Sequence, residues 1–288
     1  MTVKLKRSPI NYMGGKFNSL KYMREHFPTN INTFYDIFTG SGTVPLNIKA
    51  EKYVINDRMP HLTELHKYLI ETKYEVIYDN ILHDIDEYDL NDLSGDGYYR
   101  LREIFNERNN PRLLFALITH SFNYIMRFNM SGEFNASFGR GKCKLGDNML
   151  DKLRGYTEVF NKGNTKVTTK DFREYFDADM YKEGDFVYLD PPYELTVAVY
   201  NENGGWGEKD AEDVLSFIAD LDSKGINFGY SNTLESKGVH NKLLQSFIND
   251  NPHLKIISNK GYLNGVPSTR KHRGKDVEVF ITNGKETI

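Results

Sequence analysis

The sequence predicts an α/β fold, a mixed and mostly parallel sheet interrupted by a helical and hairpin insertion. Three observations carry the prediction. The apolar run Thr33-Phe34-Tyr35-Asp36-Ile37-Phe38 opens into the glycine-bearing stretch Thr39-Gly40-Ser41-Gly42-Thr43. A second run, Tyr53-Val54-Ile55-Asn56, stops at Asp57, roughly twenty residues after the first. A third, Phe186-Val187-Tyr188-Leu189, runs straight into Asp190-Pro191-Pro192-Tyr193. Strand-like runs alternating with helical stretches read as βαβ units around a parallel sheet.

In chain order, Tyr12-Met13-Gly14-Gly15-Lys16 first invites a phosphate-loop reading. It fails, because that loop needs an earlier glycine and a hydroxyl after the lysine, where Phe17 stands. Lys16 remains a candidate ligand for a carboxylate or a base. After the first strand, Gly40 and Gly42 let the backbone turn tightly and approach a ligand, as in nucleotide-binding loops, and a helix is predicted from Val44. Asp57 stands where a dinucleotide fold places an acid on ribose hydroxyls; the alternative is a helix cap ahead of Met59 to Ile70. From His61 to Leu153 the strand-and-glycine rhythm gives way to helical periodicity, with helices predicted over Tyr98 to Arg108 and Pro111 to Ser121. Ser131-Gly132 lies between runs with aromatics at alternate positions, which predicts a hairpin. Lys166 to Thr169, Phe186 to Leu189, Asn227 to Ser231 and Val277 to Thr282 complete the predicted strands.

The junction at Asp190 carries the most chemistry. Two consecutive prolines cannot continue a hydrogen-bond ladder, so the strand stops there. An acid, a rigid turn lacking free N–H groups and an aromatic ring are thereby fixed at a strand's carboxyl end, where open α/β sheets bind ligands. Such a corner suits an exocyclic amine on a nucleobase. The amine's lone pair is delocalised into the ring, and it becomes nucleophilic when acceptors on both N–H bonds draw it toward tetrahedral geometry. Asp190 supplies one acceptor through its carboxylate, Pro191 another through its carbonyl, and Tyr193 a stacking platform worth about 1–3 kcal/mol per base. The plainer alternative is a strand-ending turn with a surface acid and a packing tyrosine.

Composition sets outer bounds. The 288 residues allow one or two domains with a substantial core. No apolar segment has spanning length, and Met1 to Arg7 is not followed by a signal-peptide apolar core, so a soluble cytoplasmic protein without membrane contact is expected. The single cysteine, Cys143, excludes an internal disulfide framework and a cysteine-rich metal site, and no His-x-x-x-His pair occurs, so no metal is expected. The net charge of -3 argues against wholesale coating of nucleic acid. Positive charge is nonetheless concentrated at Lys4 to Arg7, Arg140 to Lys144 and Arg270 to Lys275.

Taken together, these residues resemble the DNA adenine-N6 methyltransferases of the Dam type, which use S-adenosylmethionine. The resemblance runs through Tyr12 to Lys16, Phe38 to Gly42, Asp57, Asp190 to Tyr193, and Thr269-Arg270-Lys271 leading to Asp276-Val277-Glu278. It is most specific over Phe122 to Asn135 and Phe138-Gly139-Arg140, which look like the family's DNA-reading hairpin. It implies a Rossmann-like methyltransferase fold made from residues 1–58 and 165–288, with 59–164 as a target-recognition domain. It further implies that Tyr12, Lys16, Phe38, Gly40, Gly42 and Asp57 hold the cofactor, that Asp171 and Phe172 flank its adenine, and that Asp190 borders it. Asp190, Pro191, Pro192 and Tyr193 would hold a flipped adenine. Arg127 would read a guanine, and Phe122 and Asn123 would wedge and bond where the duplex opens. Asn129, Arg140, Arg270, Lys271 and Lys275 would face DNA.

The implied partners are double-stranded DNA and a restriction endonuclease that forms no stable complex, with the chain a monomer or weak dimer. Ala136-Ser137 stands where many members carry a proline, and Gly141 where they carry a larger side chain. The resemblance therefore points to a GATC-like site with Arg127 on a guanine and leaves the other positions open. Alternatives in other classes are an amino-methyltransferase acting on cytosine N4 or RNA, and a non-catalytic DNA-binding regulator.

Overall fold

The computed structural model describes residues 4–193, 195, 206–259, 261–262 and 276–284. The apolar runs become strands close to where their patterning puts them: β1 (Thr33–Asp36), β2 (Lys52–Asn56), β3 (Thr165–Thr168) and β4 (Phe186–Leu189). β5 (Asn227–Ser236), β6 (Val239–His240), β7 (Lys255–Ser258), β8 (Gly261–Tyr262) and β9 (Val277–Thr282) follow. The strand order is β3-β2-β1-β4-β5-β9-β7-β8, with β6 on β5. β1, β4 and β5 run parallel, whereas β9 is antiparallel to both β5 and β7. This is the mixed, mostly parallel sheet of a doubly wound, Rossmann-like α/β fold, with the order reversing direction at β1 and β4.

The helices are α1 (Leu20–Met23), α2 (Pro60–Glu71), α3 (Tyr74–Glu87), α4 (Asp96–Arg108), α5 (Pro111–His120), α6 (Asp147–Phe160), α7 (Glu208–Ser223) and α8 (Lys242–Asp250). The helix predicted from Val44 does not form; Pro45–Asn47 make one 3-10 turn. The Asn47 side chain donates to the carbonyls of Thr43 and Lys6, each at 2.8 Å, and accepts from the Lys6 N–H at 2.7 Å. It thus takes the acceptor that the next helical turn would need, a known way for asparagine to compete with helix.

The chain divides into two compact units. The first comprises Met1–Phe17, Thr39–Asn47 and Ile55–Thr169. Its centre is α5, buried from Leu113 to His120, as expected of a helix that is apolar all round. Pro111 occupies its first turn, and Asn110 caps it by accepting from the Arg112 N–H at 3.0 Å. Leu62, Leu65 and Leu69 of α2, Leu101 and Phe105 of α4, and Leu153, Tyr156 and Phe160 of α6 are all buried. Arg112 clasps the buried Asp84 of α3 with two hydrogen bonds, at 2.9 and 2.5 Å.

The second unit comprises Asn18–Phe38, Ile48–Val54 and Lys170–Ile288. All four residues of β4 are buried, the signature of a central parallel strand covered on both faces. On one face, Phe34 and Phe186 stack with centroids 5.7 Å apart, and Phe27 lies 5.0 Å from Phe186 and 5.1 Å from Phe280. On the other, Val187, Leu189, Phe228, Tyr230, Val279 and Ile281 share a core with Val214, Phe217, Ile218 and Leu221 of α7.

Candidate functional site

In the second unit, the parallel register pairs Asp36 with Tyr188, and the Ile37 N–H donates to the Tyr188 carbonyl at 3.1 Å. Phe38 and Asp190 each follow two residues later, so they leave neighbouring strands at the carboxyl edge where the strand order reverses. Ligands bind at that edge in doubly wound sheets. The Tyr193 hydroxyl donates to Asp190 Oδ1 at 2.9 Å. Burial, reinforced by the Asp190 charge, pushes the phenols of both Tyr193 and Tyr188 well above their usual range. Tyr188 shares a 2.8 Å hydrogen bond with Ser231. Burial also raises the Tyr22 phenol to about 12. Asp190 is therefore set near phenols that keep their protons, and that of Tyr193 donates to it.

Beside this corner, Phe38 lies 5.3 Å from Phe172 and meets Trp206 edge-on at 5.7 Å, while Phe172 and Trp206 are 5.2 Å apart. The indole Nε1 of Trp206 is buried and finds no hydrogen-bond partner among the described residues. Asp171, predicted to flank the same pocket as Phe172, caps the following turn by accepting from the Arg173 N–H at 3.0 Å. Arg173 in turn bridges to Asp210 and Asp213, at 2.5 and 2.9 Å.

In the first unit, Gly40 and Gly42 take the left-handed conformations, with φ of +48° and +70°, that their sequence position anticipates. A Cβ on Gly42 would lie 3.1 Å from the His66 ring. Asp57 accepts from the N–H groups of Gly40 and Met59, at 3.1 and 3.0 Å. Asp57 thus braces the glycine loop and anchors Met59, the residue that precedes α2, without itself being that helix's cap. Burial raises its pKa, and the backbone N–H groups of Met59, Gly40 and Arg58 work against that rise. Tyr12 packs 3.5 Å from the Cβ position of Gly40, and its hydroxyl is 3.9 Å from the Met59 sulfur. Lys16 is buried, with Nζ on the Gly14 carbonyl at 2.8 Å.

The predicted hairpin is present but irregular, closed by the antiparallel bridge Phe128↔Phe134 and by Asn129 N–H to Glu133 carbonyl at 2.9 Å. Phe128 stacks on His61 at 4.6 Å, and Asn106 of α4 holds both the N–H and the carbonyl of Phe134. The Asn129 side chain braces the turn through Glu133. Arg127 is exposed and steadied by Asn135, with Nε and Nη2 each donating at 2.8 Å. Phe122 is 55% exposed, and Asn123 and Tyr124 after it both sit at φ +56°. A left-handed tyrosine stores on the order of 1–3 kcal/mol of strain, and such strain clusters at functional sites. Arg140 is also exposed and left-handed, with φ +49°.

Arg270, Lys271 and Lys275 lie outside the described residues. Sequence reasoning missed Trp206 and the buried pair His66 and Tyr156. Trp206 carries one usable signal, as the single tryptophan of the chain placed just ahead of a helix. His66 falls in line with the leucines of α2, where periodicity reads it as core.

Residues 12–261 match the D12 class N6 adenine-specific DNA methyltransferases, and the chain belongs to that family. Among curated relatives, the modification methylase StsI of Streptococcus sanguinis is 35% identical over 98% of this chain. The type II methyltransferase M.FokI of Planomicrobium okeanokoites is 33% identical over 96% of it. The chain spans 43% of the length of each of these two proteins. The type II methyltransferase M1.LlaDCHI of Lactococcus lactis subsp. cremoris is 28% identical, covering 94% of this chain and 93% of its own length.

Proposed function

We propose that this chain transfers a methyl group from S-adenosylmethionine to N6 of an adenine flipped out of double-stranded DNA, at a GATC-like site. The observation that carries the reading is Asp190 at the carboxyl end of β4, on the edge where the strand order reverses, within a family of adenine-specific methyltransferases. A stacked adenine keeps its amine out of reach, so the base must leave the helix before reaction.

The residues present fit the cofactor. In the first unit, left-handed Gly40 and Gly42 permit close backbone approach, and the Asp57 carboxylate, with about four lone-pair sites, keeps acceptor capacity for a ribose hydroxyl beyond its backbone N–H partners. Tyr12 packs against that loop, and Lys16 follows Gly15, whose Cβ position lies 3.9 Å from the Ser41 hydroxyl. In the second unit, Phe38 and Phe172 offer faces for a purine, with Asp171 at the turn that presents Phe172. S-adenosylmethionine supplies a methyl group on a sulfonium, ready for direct displacement. The chain's own part is to orient the acceptor. Asp190 and the Pro191 carbonyl accept the two N–H bonds of the target amine, Pro192 stiffens the turn, and Tyr193 stacks on the ring. No covalent enzyme intermediate is required, and Cys143 is buried.

Residues 59–164 then read the duplex, with Phe122 and Asn123 at the opened step, Arg127 on a guanine, and Asn129 and Arg140 along the hairpin; 1–58 and 165–288 bind cofactor and catalyse. Arg270, Lys271 and Lys275 add phosphate contacts. A paired endonuclease would share the site without binding the chain, and duplex DNA in the cytoplasm is the substrate. Among the described residues no helix is long and apolar enough to cross a membrane. The test is sequencing with modified-base detection on DNA from cells expressing the chain. N6-methyladenine confined to one short motif is expected. N4-methylcytosine, or no modified base alongside retained DNA binding, would favour the amino-methyltransferase or regulator alternative.

A further inference from the structure

We propose that His66 and Tyr156 are positioning residues for cofactor binding, forming a hydrogen-bond relay that fixes the carbonyl direction of Gly40. The inference rests on reading the Gly40 loop as the cofactor loop. His66 Nε2 lies 2.8 Å from the Gly40 carbonyl oxygen. A carbonyl can only accept, so Nε2 carries the imidazole proton. Nδ1 is then a bare lone pair, 2.5 Å from the Tyr156 hydroxyl, which must donate to it. The direction of every proton in the chain Tyr156 to His66 to Gly40 is thus determined by chemistry.

Both side chains are fully buried. His66 continues the stripe of Leu62, Leu65 and Leu69 along α2, a stripe otherwise filled by apolar side chains. Leaving a buried imidazole nitrogen without a partner is costly; at His66 both nitrogens are satisfied, and one of the two partners is the loop backbone. Gly40 is also held at its other end, its N–H donating to Asp57 Oδ2 at 3.1 Å. In a trans peptide the carbonyl and the following N–H point oppositely. Fixing the Gly40 carbonyl toward α2 therefore turns the Ser41 N–H away from α2. Without the relay, the left-handed glycine at φ +48° would leave this peptide free to rotate. The tight seat of Gly42 against the same ring adds a steric stop.

Two measurements on the whole chain test the proposal. The first is the imidazole 15N spectrum at neutral pH, where His66 should show a protonated Nε2 and a bare Nδ1; the opposite tautomer, or rapid averaging of the two, overturns the relay. The second is calorimetric titration with S-adenosylhomocysteine, alongside duplex DNA affinity. Loss of one buried hydrogen bond predicts roughly tenfold weaker cofactor binding for His66→Leu and for Tyr156→Phe. His66→Gln, whose amide nitrogen can still donate to Gly40, should recover most of the loss, and DNA affinity should stay unchanged in all three. Undiminished cofactor binding in folded variants, or parallel losses of cofactor and DNA binding, overturns the relay. Should His66→Leu fail to fold, Tyr156→Phe and the tautomer measurement decide. Failure of the unaltered chain to bind S-adenosylhomocysteine would instead overturn the cofactor reading itself.

Discussion

Replacing Tyr193 with phenylalanine separates the two jobs proposed for the aromatic ring and its hydroxyl. From sequence alone the ring is a stacking platform, and Tyr193→Phe should keep much of the activity. The structure adds a 2.9 Å hydrogen bond from the hydroxyl to Asp190 Oδ1. A hydrogen bond to a charged group contributes about 1.5–3 kcal/mol, and the half-buried position of Tyr193 places it at the lower end. If that bond aims the carboxylate at the target amine, about 1.5 kcal/mol lost in the transition state lowers kcat roughly tenfold. The phenol keeps its proton because burial and the Asp190 charge raise its pKa, so the deficit should not vary across the neutral range. Stacking survives in phenylalanine, so affinity for the flipped base should hold. Tyr193→Ala loses both and should weaken that binding by a further 1–3 kcal/mol, approximately. Single-turnover methyl transfer with saturating cofactor, beside fluorescence of 2-aminopurine at the target position, reads both quantities. Wild-type kcat in Tyr193→Phe would refute the aiming role, and equal behaviour of the phenylalanine and alanine variants would refute the platform.

Arg127→Ala should relax the preference at one guanine by about 1–3 kcal/mol while other positions keep theirs, checked by kinetics on duplexes with single base-pair changes. Uniform loss over all duplexes would reassign it to backbone contact. Burial lowers the His66 pKa from 6.5 to about 4, so between those values the unfolded chain binds the extra proton. Stability should therefore be full above pH 6.5 and fall by about 3 kcal/mol as pH drops to 4, a slope that His66→Gln should reduce in urea titrations. Asp84→Ala leaves the Arg112 guanidinium facing a vacated buried site, and should cost about 3 kcal/mol, the lower end for a broken buried pair because Arg112 is partly exposed. Unchanged urea midpoints would contradict this.

The corner at Asp190 was legible because its signals are local. A β-branched and aromatic run ended by two prolines can be little else than a buried strand with a fixed exit, and β4 spans the same residues that the pattern marks. Gly40 and Gly42 likewise announce the backbone conformations they adopt. Local signals fail where a long-range partner decides. Nothing near Val44 shows that Asn47 bonds Lys6 and ends the turn. Periodicity cannot distinguish a core histidine from one that holds a loop, because both occupy the same stripe of α2; Tyr156, ninety residues away, makes the difference. The hydroxyl of Tyr193 was overlooked for a related reason, since its ring already explained its presence.

The most direct test of the central claim is nucleoside analysis by mass spectrometry of duplex DNA incubated with the purified chain and methyl-labelled S-adenosylmethionine, run beside Asp190→Ala. The account predicts label in N6-methyldeoxyadenosine alone for the unaltered chain. For Asp190→Ala, loss of an acceptor aimed at the reacting amine should cut the rate by about 10²–10³-fold, with folding and duplex affinity retained. Label in methylated cytosine, or near-normal turnover by a folded Asp190→Ala protein, would contradict it.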